Sequence, residues 1–126
     1  MGELDRRRAL LMRRGDVRLV DLEPTRGNEA NKQRPAVVVS NDTANGVAAR
    51  LGRGVVTVVP VTSNVDRVFP FQVRLPAERA GLRAESKAQA EQVRAVSVER
   101  VGPALGRLPP EILAALDEAL RLHLDL

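Results

Sequence analysis

The chain has 126 residues, enough for one compact domain, and it contains no cysteine and a single histidine, His123. Disulfide frameworks, thiol nucleophiles, cysteine-ligated metals and multi-histidine metal sites are therefore excluded. The formal net charge is +4, but residues 1–14 hold five arginines against two acids, which leaves a net charge of +1 for the rest of the chain. High bulk basicity is thus weak support for nucleic-acid binding.

The N-terminal segment, residues 1–12, has no pattern of core residues. We expect it to be a disordered extension, with Met12 as a candidate natural start, and residues 13–126 to form a single domain. No apolar run approaches the ~18 residues of a membrane span, and no leader with a cleavage site opens the chain. These features predict a soluble, cytoplasmic protein.

The first predicted strand covers Asp16–Leu22 and ends at Glu23-Pro24. A polar loop follows at residues 25–34, and its length is unusual for a connection in a compact domain, which suggests a functional role. The next strand, Pro35–Ser40, is rich in β-branched residues, and proline is acceptable at its first position.

Residues 41–53 are polar and rich in turn formers, and we predict a turn-like connection there. Gly54–Val61 is the strongest strand signal, with Pro60 indicating an edge or a bulge. Phe71, Val73 and Leu75 alternate with polar residues, as in a half-buried strand. Residues 76–86 are predicted to be a loop, and residues 87–96 to contain short strand-like pieces.

A C-terminal helix is predicted from Pro109-Pro110 onward, because leucines repeat at helical spacing to Leu124. Asp117 and Arg121, four residues apart, are expected to form an exposed pair on this helix. Strands first and a helix last, without alternation, predict an α+β fold that is mainly β. The expected architecture is a small, curved antiparallel sheet or partly closed barrel with helices outside.

Few side chains are positioned for chemistry. Arg34 stands at the start of a buried strand, where a fixed guanidinium suits a phosphate, and Thr62 follows the strongest strand. Taken singly, each has an ordinary structural explanation: a surface arginine before a strand, and a β-branched residue within one. Glu29 and Lys32 are equally compatible with solvated loop charges.

The order of the motifs is more specific than any one of them. It runs through Arg14-Gly15-Asp16, Asp21-Leu22 with Pro24, Gly27-x-Glu29, the Arg34–Ser40 strand, Pro60-Val61-Thr62-Ser63, Phe69-Pro70-Phe71 and Gln89–Arg94, before the helix. This order resembles the MazF/PemK family of toxin endoribonucleases over residues 12–126. The resemblance implies an SH3-like barrel of the CcdB/PemK type, a homodimer, and a cognate MazE-like antitoxin as partner.

The resemblance also implies a reaction: sequence-specific cleavage of single-stranded RNA, with mRNA as the expected target and neither metal nor cofactor. The 2′-hydroxyl attacks the adjacent phosphate and leaves a 2′,3′-cyclic phosphate and a 5′-hydroxyl. The family's catalytic arginine and threonine correspond to Arg34 and Thr62, and a loop glutamate to Glu29. We predict that RNA is also bound by six polar side chains, those of Arg14, Asn28, Lys32, Gln33, Ser63 and Gln92.

Two alternatives remain. A gyrase-poisoning toxin of the same fold acts through a C-terminal helix bearing tryptophan, whereas this chain has no tryptophan and keeps Arg34 and Thr62. A non-catalytic RNA-binding barrel is the second alternative. Only the nuclease gives RNA cleavage products in excess chelator.

Overall fold

A computed structural model describes residues 12–22 and 33–126. The predicted N-terminal extension up to residue 11 and most of the predicted polar loop therefore lie outside the described residues. Met12 is only 4% exposed and packs in a hydrophobic core, so the described fold includes it. No helix in the described part of the chain is long and apolar enough to cross a bilayer.

Seven strands and three α-helices make up the described ranges. In chain order they are β1 (Asp16–Asp21), β2 (Gln33–Val38), α1 (Asp42–Leu51), β3 (Val55–Thr62), β4 (Gln72–Leu75), α2 (Ala77–Ala80), β5 (Ser86–Gln89), β6 (Arg94–Ser97), β7 (Val101–Arg107) and α3 (Pro110–Leu124). Short 3-10 turns cover Ala90–Gln92 and Val98–Arg100. The predicted α+β fold with a mainly antiparallel sheet and a C-terminal helix is confirmed.

The strands form one antiparallel sheet in the order β4-β5-β3-β2-β1-β7. The longest strand, β3, has two successive neighbours on the side away from β2, because Val55–Val58 pair with β6 and Val61–Thr62 pair with β5. Pro60 falls between these two stretches, where its missing N–H leaves no outer ladder bond unmade. The prediction of an edge or bulge at Pro60 is wrong, because β3 lies inside the sheet and Pro60 pairs with Ala36 of β2 in continuous register.

Strand alternation divides the apolar residues between two cores. Val17, Val37 and Val59 face one side, where α3 contributes Ile112 and Leu116. Residues of opposite parity face the second core with Ala48 of α1, and they include Val20, Val38, Val56 and Val58. Both faces of the sheet are thus covered by a helix, which explains why successive residues are buried at the end of β2 and along most of β3.

The prediction of a turn-like connection at residues 41–53 is wrong, because this region contains the α1 helix. Asn41 caps its start by accepting a hydrogen bond from the Ala44 N–H at 2.8 Å, and Gly52 ends it in a left-handed conformation with φ of 67°. Asn45, which resembles a turn former in the sequence, is fully buried and donates to the Ser40 carbonyl. The polar residues therefore act as caps and core contacts of a helix.

The predicted pair between Asp117 and Arg121 on α3 is also wrong. Asp117 instead accepts from the guanidinium of Arg14 at 2.5 Å, and Arg121 pairs with Glu118. Arg14 additionally donates through Nε to the Val39 carbonyl at 2.8 Å. Arg14 therefore connects the end of β2 to the C-terminal helix.

A buried charge cluster attaches β7 to β1. The Asp16 carboxylate, 8% exposed, accepts from Arg107 at 3.1 Å and lies 3.5 Å from the guanidinium of Arg18. Arg18 also donates through Nε to the Gly102 carbonyl at 3.0 Å. Burial lowers the pKa of the Arg18 guanidinium below its ordinary value, and the neighbouring Asp16 opposes this shift. The cluster holds an edge strand whose pairing with β1 is interrupted by two register shifts.

Candidate active site

A cleft of about 610 Å³ opens at the end of the core that α3 covers. One wall is made by the start of β2 and the end of β3, and the other by the segment that follows α2. Its apolar lining comes from Leu19, Pro35, Val61, Leu82 and Leu105. A volume of this size accommodates a small ligand or part of a polymer chain.

Arg34 and Thr62 meet in this cleft because of the strand register. Ala36 of β2 pairs with Pro60 of β3, so two further residues along antiparallel strands bring Arg34 alongside Thr62. Both residues line the cleft. Arg34 is exposed, and among the described residues its guanidinium has no carboxylate partner. Its charge is thus available to an anion.

The Thr62 hydroxyl is oriented by the turn that follows it. The Asn64 N–H donates to Thr62 Oγ1 at 3.2 Å, which leaves the hydroxyl proton able to donate to a ligand. Ser63 follows directly and also lines the cleft. The end of β3 therefore presents two adjacent hydroxyl residues beside one guanidinium.

A buried lysine supports this turn from the neighbouring strand. Lys87 of β5 pairs in register with Thr62 and is only 7% exposed. Its Nζ donates to the Arg67 carbonyl at 2.6 Å, within the loop between β3 and β4. Lys87 therefore fixes the chain that leaves Thr62 and Ser63.

The second wall of the cleft was not expected from the sequence. It comprises Gly81, Leu82, Arg83 and Ala84, and Ser86 lies close by. Gly81 adopts φ of 73°, and a Cβ built there would lie 2.1 Å from the Leu105 carbonyl oxygen of β7. Only glycine allows this approach, so the contact sets the width of the cleft. No local sequence motif marks it, because the two backbones are distant in the chain.

The remaining RNA-binding predictions have varied positions. Ser63 lies in the cleft, whereas Arg14, Gln33 and Gln92 are not among the residues that line it. The Arg14 guanidinium is held by Asp117, as described above. Glu29, Asn28 and Lys32 lie outside the described residues.

The electrostatic character of the cleft is cationic. Of its described lining residues, two are arginines, Arg34 and Arg83, none is an acid, and hydroxyls come from Thr62, Ser63 and Ser86. Such a set can bind an anion and stabilise negative charge that develops on it. Within residues 12–22 and 33–126, no group of three histidine, aspartate or glutamate side chains is arranged to hold a metal ion.

Fold and cleft together define a small antiparallel β domain in which an arginine and a threonine line one cationic cleft. The family model described as a PemK-like, MazF-like toxin of type II toxin–antitoxin systems matches residues 13–124. The chain belongs to this family, and the resemblance inferred from its motifs is confirmed.

Individual relatives agree with this assignment. The chain is 62% identical over 116 residues to endoribonuclease MazF9 of Mycobacterium tuberculosis, which covers 92% of this chain and 98% of that protein. It is 30% identical over 118 residues to endoribonuclease EndoA of Bacillus subtilis, covering 93% of this chain and 97% of EndoA.

Solved structures show the same fold. Deinococcus radiodurans MazF superposes with a TM-score of 0.69 at 27% identity, covering 91% of this chain and 97% of that one. A MazE–MazF complex from the same organism gives 0.70 at 26% identity, covering 91% and 96%. A mycobacterial endoribonuclease with its cognate antitoxin gives 0.71 at 23% identity, covering 91% and 96%, which shows the fold alone.

Proposed function

We propose that this protein is a toxin endoribonuclease that cleaves single-stranded RNA, with mRNA as its target, at a short sequence. The observation that carries the proposal is the convergence of Arg34 and Thr62, from different strands, in one cationic cleft. Membership of the toxin family and the 62% identical endoribonuclease from M. tuberculosis support the same activity.

The proposed chemistry is an in-line transfer that requires no metal. The RNA 2′-oxygen forms a bond to the adjacent phosphorus while the bond from phosphorus to the 5′-oxygen breaks. The 2′-hydroxyl proton passes to a base, and the departing 5′-oxygen takes up a proton. The products are a 2′,3′-cyclic phosphate and a 5′-hydroxyl.

The cleft residues suit the charge requirements of this reaction. Arg34 supplies the positive charge that stabilises the phosphorane, since a guanidinium remains protonated in proteins and is therefore an implausible base but a strong donor. Thr62, whose oxygen already accepts from Asn64, donates its hydroxyl proton to a phosphate oxygen and orients it. Glu29 is proposed as the proton acceptor on the basis of the family resemblance alone.

Partners follow from the same family. The protein acts in the cytoplasm as a homodimer and is inhibited by a cognate MazE-like antitoxin. The solved MazE–MazF structure from D. radiodurans supports the pairing with an antitoxin. An acidic antitoxin segment covers the Arg34 cleft and excludes RNA, so binding weakens as salt rises. Domain limits of 13–126, with residues 1–12 outside the domain apart from the buried Met12 side chain, are part of this proposal.

The decisive experiment is RNA cleavage in excess EDTA with three proteins: wild type, Arg34→Ala and Thr62→Val. Each variant has a matched control on the other side of the fold, Arg53→Ala and Thr43→Val, both exposed. We expect the two cleft variants to lose on the order of 10²–10³ in single-turnover rate, and the controls to cut at the wild-type rate.

End groups test the chemistry separately. Kinase labelling of the downstream fragment without prior phosphatase treatment detects a 5′-hydroxyl. A downstream fragment carrying a 5′-phosphate would contradict the proposed transfer. RNA binding without cleavage by wild type would favour the non-catalytic barrel, and gyrase inhibition without RNA cleavage would favour the gyrase poison.

A further inference from the structure

The second arginine of the cleft has no role in the chemistry above. We propose that Arg83 binds the phosphate next to the one that is cleaved, and so forms a second phosphate subsite across the cleft from Arg34. The inference rests on the proposed RNA cleavage. It predicts that the substrate is recognised through two consecutive backbone phosphates, one at each wall.

Charge is the first support. Arg34 of β2 and Arg83 of the segment after α2 both line the cleft, and the described lining contains no carboxylate. Two exposed acids near this segment have partners of their own among the described residues. Glu85 accepts from the Ala77 N–H at 3.3 Å and lies 4.0 Å from Arg74, and Glu111 pairs with Arg79. Arg83 itself is exposed and forms no ion pair among the described residues.

Backbone fixation is the second support. Leu82, just before Arg83, donates its N–H to the Ala77 carbonyl at 2.9 Å. The Ala84 carbonyl, just after it, accepts from the Ser86 hydroxyl at 3.0 Å. Together with the Gly81 contact to β7, these bonds fix the main chain on both sides of Arg83. A guanidinium on a fixed base loses less conformational freedom when it binds phosphate.

The space between the two arginines suits a nucleotide chain. Leu19, Pro35 and Leu105 line the cleft with apolar surface, on which sugars and base faces can lie, while the Ser63 hydroxyl remains for polar contacts. An isolated inorganic phosphate would need only one cation. Two cations that line one cleft together with apolar residues fit a polymer with regularly spaced charges.

The test measures binding of an uncleavable RNA, with a 2′-O-methyl group at the mapped cleavage site and one uncharged methylphosphonate linkage moved along the strand. Proteins are wild type, Arg83→Gln, Arg83→Lys and the control Arg53→Gln. Arg53 is exposed beside the start of β3, roughly 20 Å from the cleft at the other end of that strand. Melting temperatures verify that all variants are folded.

We expect Arg83→Gln to bind all-phosphate RNA about tenfold more weakly, whatever its sequence, and to reduce the slope of log K against log salt by about 0.7. It should also become insensitive to the methylphosphonate beside the cleavage site while keeping its sensitivity at the cleaved linkage. Arg83→Lys should restore part of the affinity and the salt slope, and Arg53→Gln should match wild type.

Three results would overturn the inference: unchanged affinity of Arg83→Gln, retained sensitivity at the neighbouring linkage, or a loss confined to one base sequence with an unchanged salt slope. The last result would mean that Arg83 reads a base. If wild type cuts RNA and Arg83→Gln binds equally well, only the second subsite fails. Wild-type protein that neither cuts nor binds RNA overturns the proposed function as well.

Discussion

The close contact between Gly81 and β7 can be tested by adding a single methyl group. Gly81→Ala places a Cβ 2.1 Å from the Leu105 carbonyl oxygen, a distance at which the backbone must move. The wall of the cleft that carries Arg83 should then shift away from β7. Loss of stability and loss of activity are therefore expected together.

A matched variant isolates the steric part. Gly52 also ends a helix in the left-handed conformation, with φ of 67° against 73° at Gly81, but a Cβ there would meet nothing within 4 Å. Gly52→Ala should cost about 1 kcal/mol from backbone strain alone. Gly81→Ala adds an overpacking penalty of about 1–3 kcal/mol. For a domain of this size, we expect melting temperatures to fall by about 4 °C and by about 8–16 °C, respectively.

Thermal unfolding followed by circular dichroism gives the stability difference, and urea unfolding at 25 °C provides an independent value. RNA cleavage is then compared at a temperature at which both variants are fully folded. Because a displacement of about 1 Å can lower a rate by up to ~10², we expect Gly81→Ala to cut RNA at least about tenfold more slowly than Gly52→Ala. If the two variants were equally stable and equally active, the contact with β7 would have no role in shaping the cleft.

Two further predictions concern charge. Asp16→Asn should lower the free energy of unfolding by about 3 kcal/mol, because it leaves the buried Arg18 without its carboxylate. Arg18→Met should lower it by less, because Asp16 keeps its ion pair with Arg107. Strictly additive losses in the double variant, measured by urea unfolding, would refute the coupling between Asp16 and Arg18. The pKa of Glu111 is lowered by the hydrogen bond from its own backbone N–H and then by Arg79, so its contribution to stability is present above its ordinary pKa of 4.5 and is lost as the pH falls through the lowered value. Glu111→Gln should therefore lower the melting temperature at neutral pH but match wild type at about pH 2, and an equal difference at both pH values would contradict this assignment.

Much of the sheet was predictable because its strands have strong local signals. Runs such as Pro35–Ser40 and Gly54–Val61 are rich in β-branched residues, and the structure covers both of their faces. The C-terminal helix was equally clear from its leucine spacing and initial prolines. In these segments, local propensity and tertiary packing favour the same conformation.

The α1 helix was missed because its signals are ambiguous locally. Asn41 and Gly52 are cap residues, but they are also turn formers, and the helix buries few side chains, among them Ala48 and the polar Asn45. β7 was missed for a different reason. Its sequence contains Gly102, Pro103 and Gly106, which are poor strand residues, and it is held by the Asp16 charge cluster. The burial of Ala48 in α1 and the ion pair between Asp16 and Arg107 of β7 both join segments that are distant in the chain. A local window of sequence shows neither of them.

In the candidate site, too, some residues could be predicted from the sequence, whereas others depend on tertiary contacts. The presence of Arg34 and Thr62 in one cleft follows from the register of β2 and β3, and motif order was enough to single out both residues. Arg83 could not be selected in this way, because its position depends on the approach of two glycines, Gly81 and Gly106, from distant segments. A site wall built by tertiary contact between small residues leaves no chemical signature at the residue that it positions.

The interruption in the outer pairing of β3 has a consequence for solubility. Open strand edges recruit other chains and seed aggregates. The stretch of β3 between its β6 and β5 partners is only two residues long, and one of them, Pro60, has no N–H to offer an incoming strand. A strand of another chain therefore cannot form a continuous ladder of backbone hydrogen bonds at this break. Strand β3 can therefore exchange one neighbouring strand for another along its length without leaving an open edge to which another chain could bind.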